Sequence, residues 1–267
     1  MAGGHVGALV HPAELITIGG ASLGAMIITS PKRVLVDVIR GVIQSIKGSP
    51  YAKATYFELF KLLYSLARVV RKDGLLALDS HIGDPAASDI FQRYPRIMKN
   101  YQASQFLCNA LSMIVDGSTT PAQLTSCLEE EIKVVEREHH AAIAALSKTA
   151  DALPGFGIVA AVLGIVVTMQ SIDGPVEEIG HKVGAALVGT FLGILLSYGF
   201  FAPLAGRMEA LGEQESVFLR AISTSVFAIN ESVAPREVVV RASRSLGTDC
   251  RPSPSEMKTL FEEADRP

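Results

Sequence analysis

Three windows without a single Asp, Glu, Lys or Arg determine which folds are open to this chain. They cover residues 15–31, 152–172 and 183–206, which makes them 17, 21 and 24 residues long. At about 1.5 Å of rise per residue, a helix over either of the last two windows crosses a hydrocarbon core of about 30 Å. The first window must extend at its N-terminal side or let flanking side chains snorkel, and a buried core helix is the alternative for it. We predict three transmembrane helices, which agrees with the positive mean hydropathy of +0.33.

Basic residues are concentrated between and after these windows. Of the 24 Lys and Arg, 15 lie from Lys32 to Lys148, eight lie from Arg207 onward, and none precedes Lys32. Cytoplasmic segments of membrane proteins carry an excess of Lys and Arg. We therefore predict cytoplasmic segments at 32–151 and 207–267 and periplasmic segments at 1–14 and 173–182. Because a periplasmic N-terminus without a basic region or a cleavable signal is unusual, we also expect that a preceding span is missing.

The residues outside the windows are predicted to be helical. Residues 33–46 repeat apolar side chains at i, i+3, i+4 and i+7, which is typical of a helix that packs on other helices or on the membrane surface. A helix capped near Thr120 and Pro121 is expected to continue into the second window. The tail is expected to be helical to about Ile229 and to break at Pro235. Further helices are predicted at about 51–70, 75–82 and 87–115.

Charge, cysteines and motifs exclude several functional classes. The formal charge of -3 offers no net basic surface for nucleic acid, and the cysteines form neither a disulfide framework nor a thiolate metal site. Motifs of nucleotide-binding proteins, zinc proteases and serine hydrolases are missing from the sequence. We therefore expect no enzymatic activity, no cofactor and no metal. With no β-pattern of weight, the predicted fold class is all-α: a multi-pass membrane protein with three transmembrane helices and a large helical cytoplasmic loop.

Small residues form a stripe on each of the last two windows. The spacing i, i+3, i+4, i+7 places each set on one helix face: Gly157, Ala160, Ala161 and Gly164 in one, Ala186, Gly189, Thr190 and Gly193 in the other. Such stripes allow close approach of two membrane helices. Thr190 and Ser197 add a polar edge that suits either a helix interface or an ion path. Hydroxyls do not titrate near neutral pH, and no window holds Asp, Glu, His, Lys or Arg, so proton conduction would require a carboxylate from another subunit.

Several strings in these windows resemble one family. PGFGIVAAVLG at 154–164, VGTFLGILL at 188–196 and FAPLA at 201–205 resemble the last two spans of MotA, the stator subunits of the bacterial flagellar motor. PAEL at 12–15 resembles the stretch that leads into the second span of that family, and the likeness covers essentially the whole chain. MotA proteins have four spans, and this chain begins after the position of the first. We expect a truncated or mis-assigned start, or else a three-span variant.

The resemblance implies a proton channel in the bacterial inner membrane. MotA proteins assemble as a homo-oligomeric ring around a dimer of the single-span subunit MotB, whose aspartate carries the ion. Proton flow then moves the ring, and the cytoplasmic loop pushes on the rotor switch protein FliG. By this resemblance the chain is a flagellar stator subunit without a cofactor.

The resemblance also implies roles for five residues of the spans. Thr190 matches the pore-facing threonine of the family, and Tyr198 matches a tyrosine near the cytoplasmic exit. Ala161 stands where sodium-driven relatives have a hydroxyl, which favours protons as the ion. Pro154 and Pro203 match the two prolines that couple ion passage to motion of the loop.

Three loop residues match positions that the family uses against the rotor. Arg71 and Asp79 match an arginine and an acidic residue that face the rotor. The family commonly has Glu where Asp79 stands, so the charge is kept and its reach is shorter. Glu131 resembles a further loop acid that is linked to torque.

Two other functions remain open at this point. An ExbB/TolQ-type energiser of outer-membrane processes also has three spans, an outside N-terminus and a pore threonine, although the PGFGIVAAV and FAPLA strings favour MotA. A membrane scaffold that does not conduct would also lack charge within its spans.

Overall fold

The structure is a computed structural model that describes residues 12–117, 119–170 and 175–266. Over these residues the chain is helical and contains no β-strand, which confirms the predicted all-α class. The chain divides into two compact units. The membrane unit comprises Met1–Lys47 and Glu138–Ala210, and the loop unit comprises Gly48–Arg137 and Leu211–Pro267.

Three helices in the described residues are long and apolar enough to cross a membrane, which confirms the three predicted spans. The first, α1 (Pro12–Thr29), has only 11% of its residues buried, which excludes the alternative of a buried core helix. The other spans belong to the 49-residue helix α8 (Pro121–Met169) and to α9 (Val176–Leu196). After α9 the chain continues through one π-helical turn (Ser197–Phe201), here called the π turn, into α10 (Ala202–Asn230).

The helices that carry two of the spans begin earlier than the predicted windows. Because α1 begins at Pro12 and not at residue 15, Glu14 lies in its first turn, so one candidate span contains an acidic residue. A charge-free window underestimates the length of such a helix, because a helix starts where backbone hydrogen bonding starts and not where hydropathy rises. Similarly, α9 begins at Val176, within the residues 173–182 that the sequence analysis assigns to a hairpin.

In the membrane unit, α2 (Lys32–Lys47) packs one face on α8 and α10. Val38 is buried with Ala142, Leu146 and Met208, and Arg33 forms an ion pair with Glu138 of α8. Other apolar side chains of α2 remain exposed: Val36, Ile39, Ile43 and Ile46. The amphipathic pattern is therefore confirmed, and α2 has a second apolar face that the described residues leave uncovered.

The loop unit is organised around α3 (Lys53–Asp73). The fully buried side chains of α3 include Leu59, Phe60 and Leu63. They share one core with α7 (Tyr101–Val115), with the end of α10, and with the tail helices α11 (Pro235–Ser243) and α12 (Pro254–Ala264). Loop and tail thus fold together as one unit, which the sequence analysis did not anticipate.

The single helix predicted for residues 87–115 is wrong, because the structure has three helices there. These are α5 (Asp89–Gln92), α6 (Pro95–Lys99) and α7. Pro95 takes the first position of α6, and the side chain of Asn100 accepts a hydrogen bond from the Ala103 N–H at the start of α7. Both residues start a helix rather than continue one. A 3₁₀ turn (Leu75–Leu78) and α4 (Asp79–Ile82) occupy the predicted 75–82 helix.

Two predicted helix boundaries have visible causes. The Thr120 hydroxyl accepts a hydrogen bond from the Gln123 N–H while the Gln123 side chain accepts one from the Thr120 N–H, so the cap that starts α8 is reciprocal. In the tail, α10 ends at Asn230, and Pro235 stands at the first position of α11. The expected continuation of the charged helix into the second span is confirmed.

Candidate functional site

The two small-residue stripes face each other in the membrane unit. A Cβ atom built on Gly157 would lie 2.9 Å from the Gly189 carbonyl oxygen and 3.3 Å from the Cα of Thr190. One built on Gly164 would lie 3.0 Å from the Ala186 Cβ. These positions lack the space for a larger side chain, so α8 and α9 are in backbone contact along the stripe. Helix packing is therefore the role of Gly157 and Gly164.

Thr190 differs from most hydroxyl residues of the spans. The hydroxyls of Thr17, Ser22, Thr29 and Thr168 donate to the carbonyl oxygen four residues earlier in their own helices. Those of Thr190 and Ser197 form no hydrogen bond with any residue that the structure describes. The two residues are seven positions apart in continuous helix, which places them on similar sides of it. The Thr190 side chain is half-buried, so its hydroxyl is available to water or to a passing ion, whereas Ser197 is buried.

The other residues assigned to the proton pathway lie in different surroundings. Ala161 is buried on α8, with 9% of its surface exposed. Tyr198 lies in the π turn and is 69% exposed. The structure brings Ala161 and Thr190 to the same helix pair, whereas Tyr198 points away from the packed residues.

The two prolines occupy different helical settings. Pro154 lies inside α8, which continues through it although the Ala150 carbonyl loses its usual N–H partner. Pro203 is the second residue of α10, directly after the π turn, and is exposed. We attribute the π turn to this proline, because wider helical turns occur where the regular hydrogen-bond ladder is interrupted. Sequence reasoning did not predict this turn.

Arg71 and Asp79 lie close in sequence on one exposed segment of the loop unit. Arg71 is in the last turn of α3, and Asp79 is the first residue of α4. The chain reverses between them at Gly74, whose φ of 86° is in the left-handed region that favours glycine. Both side chains are exposed, and neither forms an ion pair or hydrogen bond with a described residue. Both charges are therefore available to a partner.

The surface around Arg71 has apolar features that sequence reasoning missed. Leu76, between Arg71 and Asp79, is 77% exposed. A groove of about 200 Å³ beside Arg71 is lined by residues of α3, of the last turn of α10 and of the turn that follows α10: Ala67, Val70, Ile229, Ser232 and Val233. Its lining depends on the fold of loop and tail together, so no local signal in the sequence could have revealed it.

Glu131 lies on the part of α8 that belongs to the loop unit. Its carboxylate is half-buried and forms no ion pair with a described residue, and this burial raises the pKa of the Glu131 carboxyl group. The neighbouring Glu130 pairs with Arg137 instead. Among the described residues no cluster of three His, Cys, Asp or Glu could hold a metal ion.

Two family models match this chain. Motility protein A N-terminal matches residues 1–74, and the MotA/TolQ/ExbB proton channel family matches residues 98–220. These describe motility proteins and proton channels, not enzymes, which confirms the prediction that the chain is not an enzyme.

Curated relatives are similar along nearly the whole chain. Motility protein A of Salmonella typhimurium is 35% identical over 253 residues, which covers 95% of this chain and 86% of that protein. Chemotaxis protein LafT of Vibrio parahaemolyticus is 36% identical over 265 residues, which covers 99% and 93%.

Solved structures of two stators are similar in fold. The C. jejuni MotAB structure gives a TM-score of 0.77 at 21% identity, covering 94% of this chain and 91% of that one. The flagellar MotAB stator complex from Bacillus subtilis gives 0.74 at 25% identity, covering 97% and 91%. With the curated relatives, these similarities place the chain among motility proteins rather than among ExbB/TolQ energisers. This chain belongs to the motility protein A family.

Proposed function

We propose that this chain is a stator subunit of the bacterial flagellar motor that forms a proton channel together with a MotB-type partner. The observation that supports conduction most directly is the unpaired Thr190 hydroxyl beside the closely packed α8–α9 stripe. The apolar windows of these two helices contain no Asp, Glu, His, Lys or Arg. A single-span partner that contributes an aspartate supplies the missing carboxylate, as the resemblance to MotA implies.

The proposal includes the location, orientation and assembly of the chain in the membrane. The chain lies in the inner membrane as a homo-oligomeric ring, with cytoplasmic segments at 32–151 and 207–267, and with the segment before α1 and the connection between α8 and α9 on the periplasmic side. The distribution of basic residues supports this orientation. Large exposed apolar side chains on the spans, such as Ile28, Val167 and Leu187, are suited to lipid or to neighbouring subunits.

Pro154 and Pro203 couple ion passage to motion of the loop in this proposal. Residues of α8 belong to both the membrane unit and the loop unit, and α8 is one uninterrupted helix. A change of bend at Pro154 would therefore move residues far along the same helix. Pro203 and the adjacent π turn provide a second bend before α10, which also has residues in both units.

The loop unit acts on the rotor switch protein FliG through its exposed charges. Arg71 and Asp79 project without an internal partner from one short segment, which suits recognition of complementary charges. Glu131 contributes a further acidic group. No residue near Arg71 or Asp79 neutralises them within the described part of the loop unit.

Proton flux tests the conducting role of Thr190. Thr190→Val keeps the side-chain shape and removes the hydroxyl. In complexes whose partner leaves the channel open, here called an unplugged partner, we expect the proton leak to fall by about three- to tenfold, which corresponds to the loss of one hydrogen bond. Thr168→Val is the matched control, because the Thr168 hydroxyl already bonds to the Gly164 carbonyl. Equal flux in wild type and both variants would assign Thr190 to packing alone.

Motility tests the rotor contact. Arg71→Glu and Asp79→Lys should each impair swimming, and a charge reversal on FliG should restore it. Lys72→Glu is the control for a general change of charge, since Lys72 is the exposed neighbour of Arg71 in α3. Rescue of Arg71→Glu by Asp79→Lys alone, without any change to FliG, would indicate an internal ion pair and contradict the proposed contact.

A further inference from the structure

Glu14 contacts α9 beyond the charged first turns of that helix. It is in the first turn of α1, and α1 packs on α9 within the membrane unit. The residue of α9 that it reaches is Gly189, six positions after Val183, where the charge-free window of the third span begins. At about 1.5 Å per residue, this is about 9 Å along the helix axis. The carboxylate therefore lies within the apolar length of the third span, in its outer half.

The carboxylate fills space that a side chain on Gly189 would take. A Cβ built on Gly189 would lie 3.1 Å from the Oε2 of Glu14 and 3.6 Å from the Ala160 Cβ. Gly189 is thus the point where α1, α8 and α9 meet. Nearby, Ile18 of α1 is completely buried against Leu153 and Ala160 of α8. The absence of a side chain at residue 189 is what admits an acidic group to this junction.

Other charges are distant along these helices. Glu14 forms no hydrogen bond or ion pair with any described residue. It is the only ionisable residue of α1, and α8 has none after Asp151. The ionisable residues of α9 all lie in its first two turns, at least seven positions before Gly189: Glu177, Glu178, His181 and Lys182. An ionisable side chain that is retained within a span in this way marks an ion pathway or a proton relay.

We propose that Glu14 is a proton-binding group in the outer half of the channel. Its carboxylate accepts one proton from the periplasmic side and becomes a carboxylic acid. It then releases that proton past Thr190, the next residue after Gly189, towards the ion-binding carboxylate of the partner, and returns to the charged form. No other bond changes. The inference rests on the proposed stator function, and it assigns Gly189 the task of leaving room for the acid.

The experiment measures proton flux per assembled complex in membrane vesicles that contain this chain and an unplugged partner. Glu14→Gln cannot ionise, so flux should fall by about 10²-fold, the lower range for a positioned proton-transfer group. Gly189→Ala should also reduce flux, because its methyl group displaces the carboxylate. Glu177→Gln and Gly184→Ala are the matched controls and should keep wild-type flux: Glu177 is exposed at the start of α9, and Gly184 has open space around it.

The outcomes separate the two proposals. If wild-type complexes conduct no protons, the stator proposal itself fails. If wild type conducts and assembled Glu14→Gln complexes conduct equally well, the role of Glu14 is refuted. Should Glu14→Gln not assemble, Glu14→Asp and Gly189→Ala decide, because both keep an ionisable carboxylate but shift its position. Normal flux in both of those variants would overturn the inference, and reduced flux in both would support it.

Discussion

Gly193→Ala is the substitution for which the structure gives the sharpest expectation. A Cβ on Gly193 would lie 2.7 Å from the Leu153 carbonyl oxygen and 3.0 Å from the Cα of Gly157. Ordinary contact begins at about 3.4 Å, so the new methyl group is about 0.7 Å too close. Both neighbouring atoms belong to the backbone of α8. They cannot rotate away, and the two helices must separate.

The cost of that separation can be bounded. A gap of about 0.5–1 Å removes a quarter to a half of the dispersion energy of the contacts that it opens. Overpacking of this kind costs about 1–3 kcal/mol. For a chain of this size, about 1 kcal/mol lowers the melting temperature by about 2–4 °C. We therefore expect Gly193→Ala to lower the melting temperature of the purified complex by about 2–12 °C.

The control for this prediction lies on the same helix. Gly184 has nothing within 4 Å of the position of its Cβ, and alanine is the better helix former. Gly184→Ala should therefore leave the melting temperature unchanged or raise it slightly. If the Gly193→Ala and Gly184→Ala complexes have the same melting temperature, the close approach of α8 and α9 does not stabilise the complex.

Two further predictions concern α2 and α12. Gly41→Ala would press its Cβ against the Met208 Cε, but the end of a methionine is flexible, so we expect a cost of about 1 kcal/mol or less. A larger drop in melting temperature than for Gly193→Ala would contradict this. The hydrogen bonds from Lys53 hold the pKa of the Glu256 carboxyl at about 2, below its usual 4.5. The pairing should therefore stabilise α12 above about pH 4.5 and be lost as the pH falls towards 2. Hydrogen exchange of α12, corrected for intrinsic rates, should show this loss, and Lys53→Met should reduce it, because the Ser253 hydrogen bonds to Glu256 remain.

The sequence by itself determined the features that depend on local pattern. Hydropathy over about 20 residues identifies a membrane helix, because every apolar side chain in the window adds to the same transfer energy. The spacing of Gly157 and Gly164 likewise predicted the packed face of α8, since helical periodicity fixes which residues share a face. The capped start of α8 at Thr120 was equally visible, because a cap involves only neighbouring residues.

Features that depend on contacts between distant residues required the tertiary structure. The 87–115 pattern looked like one helix, yet Phe91, Ile97 and Leu107 enter the loop-unit core from three separate helices. Burial of these apolar side chains stabilises the fold more than one unbroken helix would. The groove beside Arg71 combines α3 with the turn after α10, which are more than 150 residues apart in sequence.

Glu14 and Thr190 show the same division within one site. The sequence placed Thr190 on the polar edge of the small-residue stripe. Only the structure distinguishes its unpaired hydroxyl from that of Thr168, which bonds within its own helix. The sequence placed Glu14 outside the first span, because charge alone defined the boundary. Its position against Gly189 depends on how α1, α8 and α9 pack, and packing energy is summed over contacts between helices that no local pattern records.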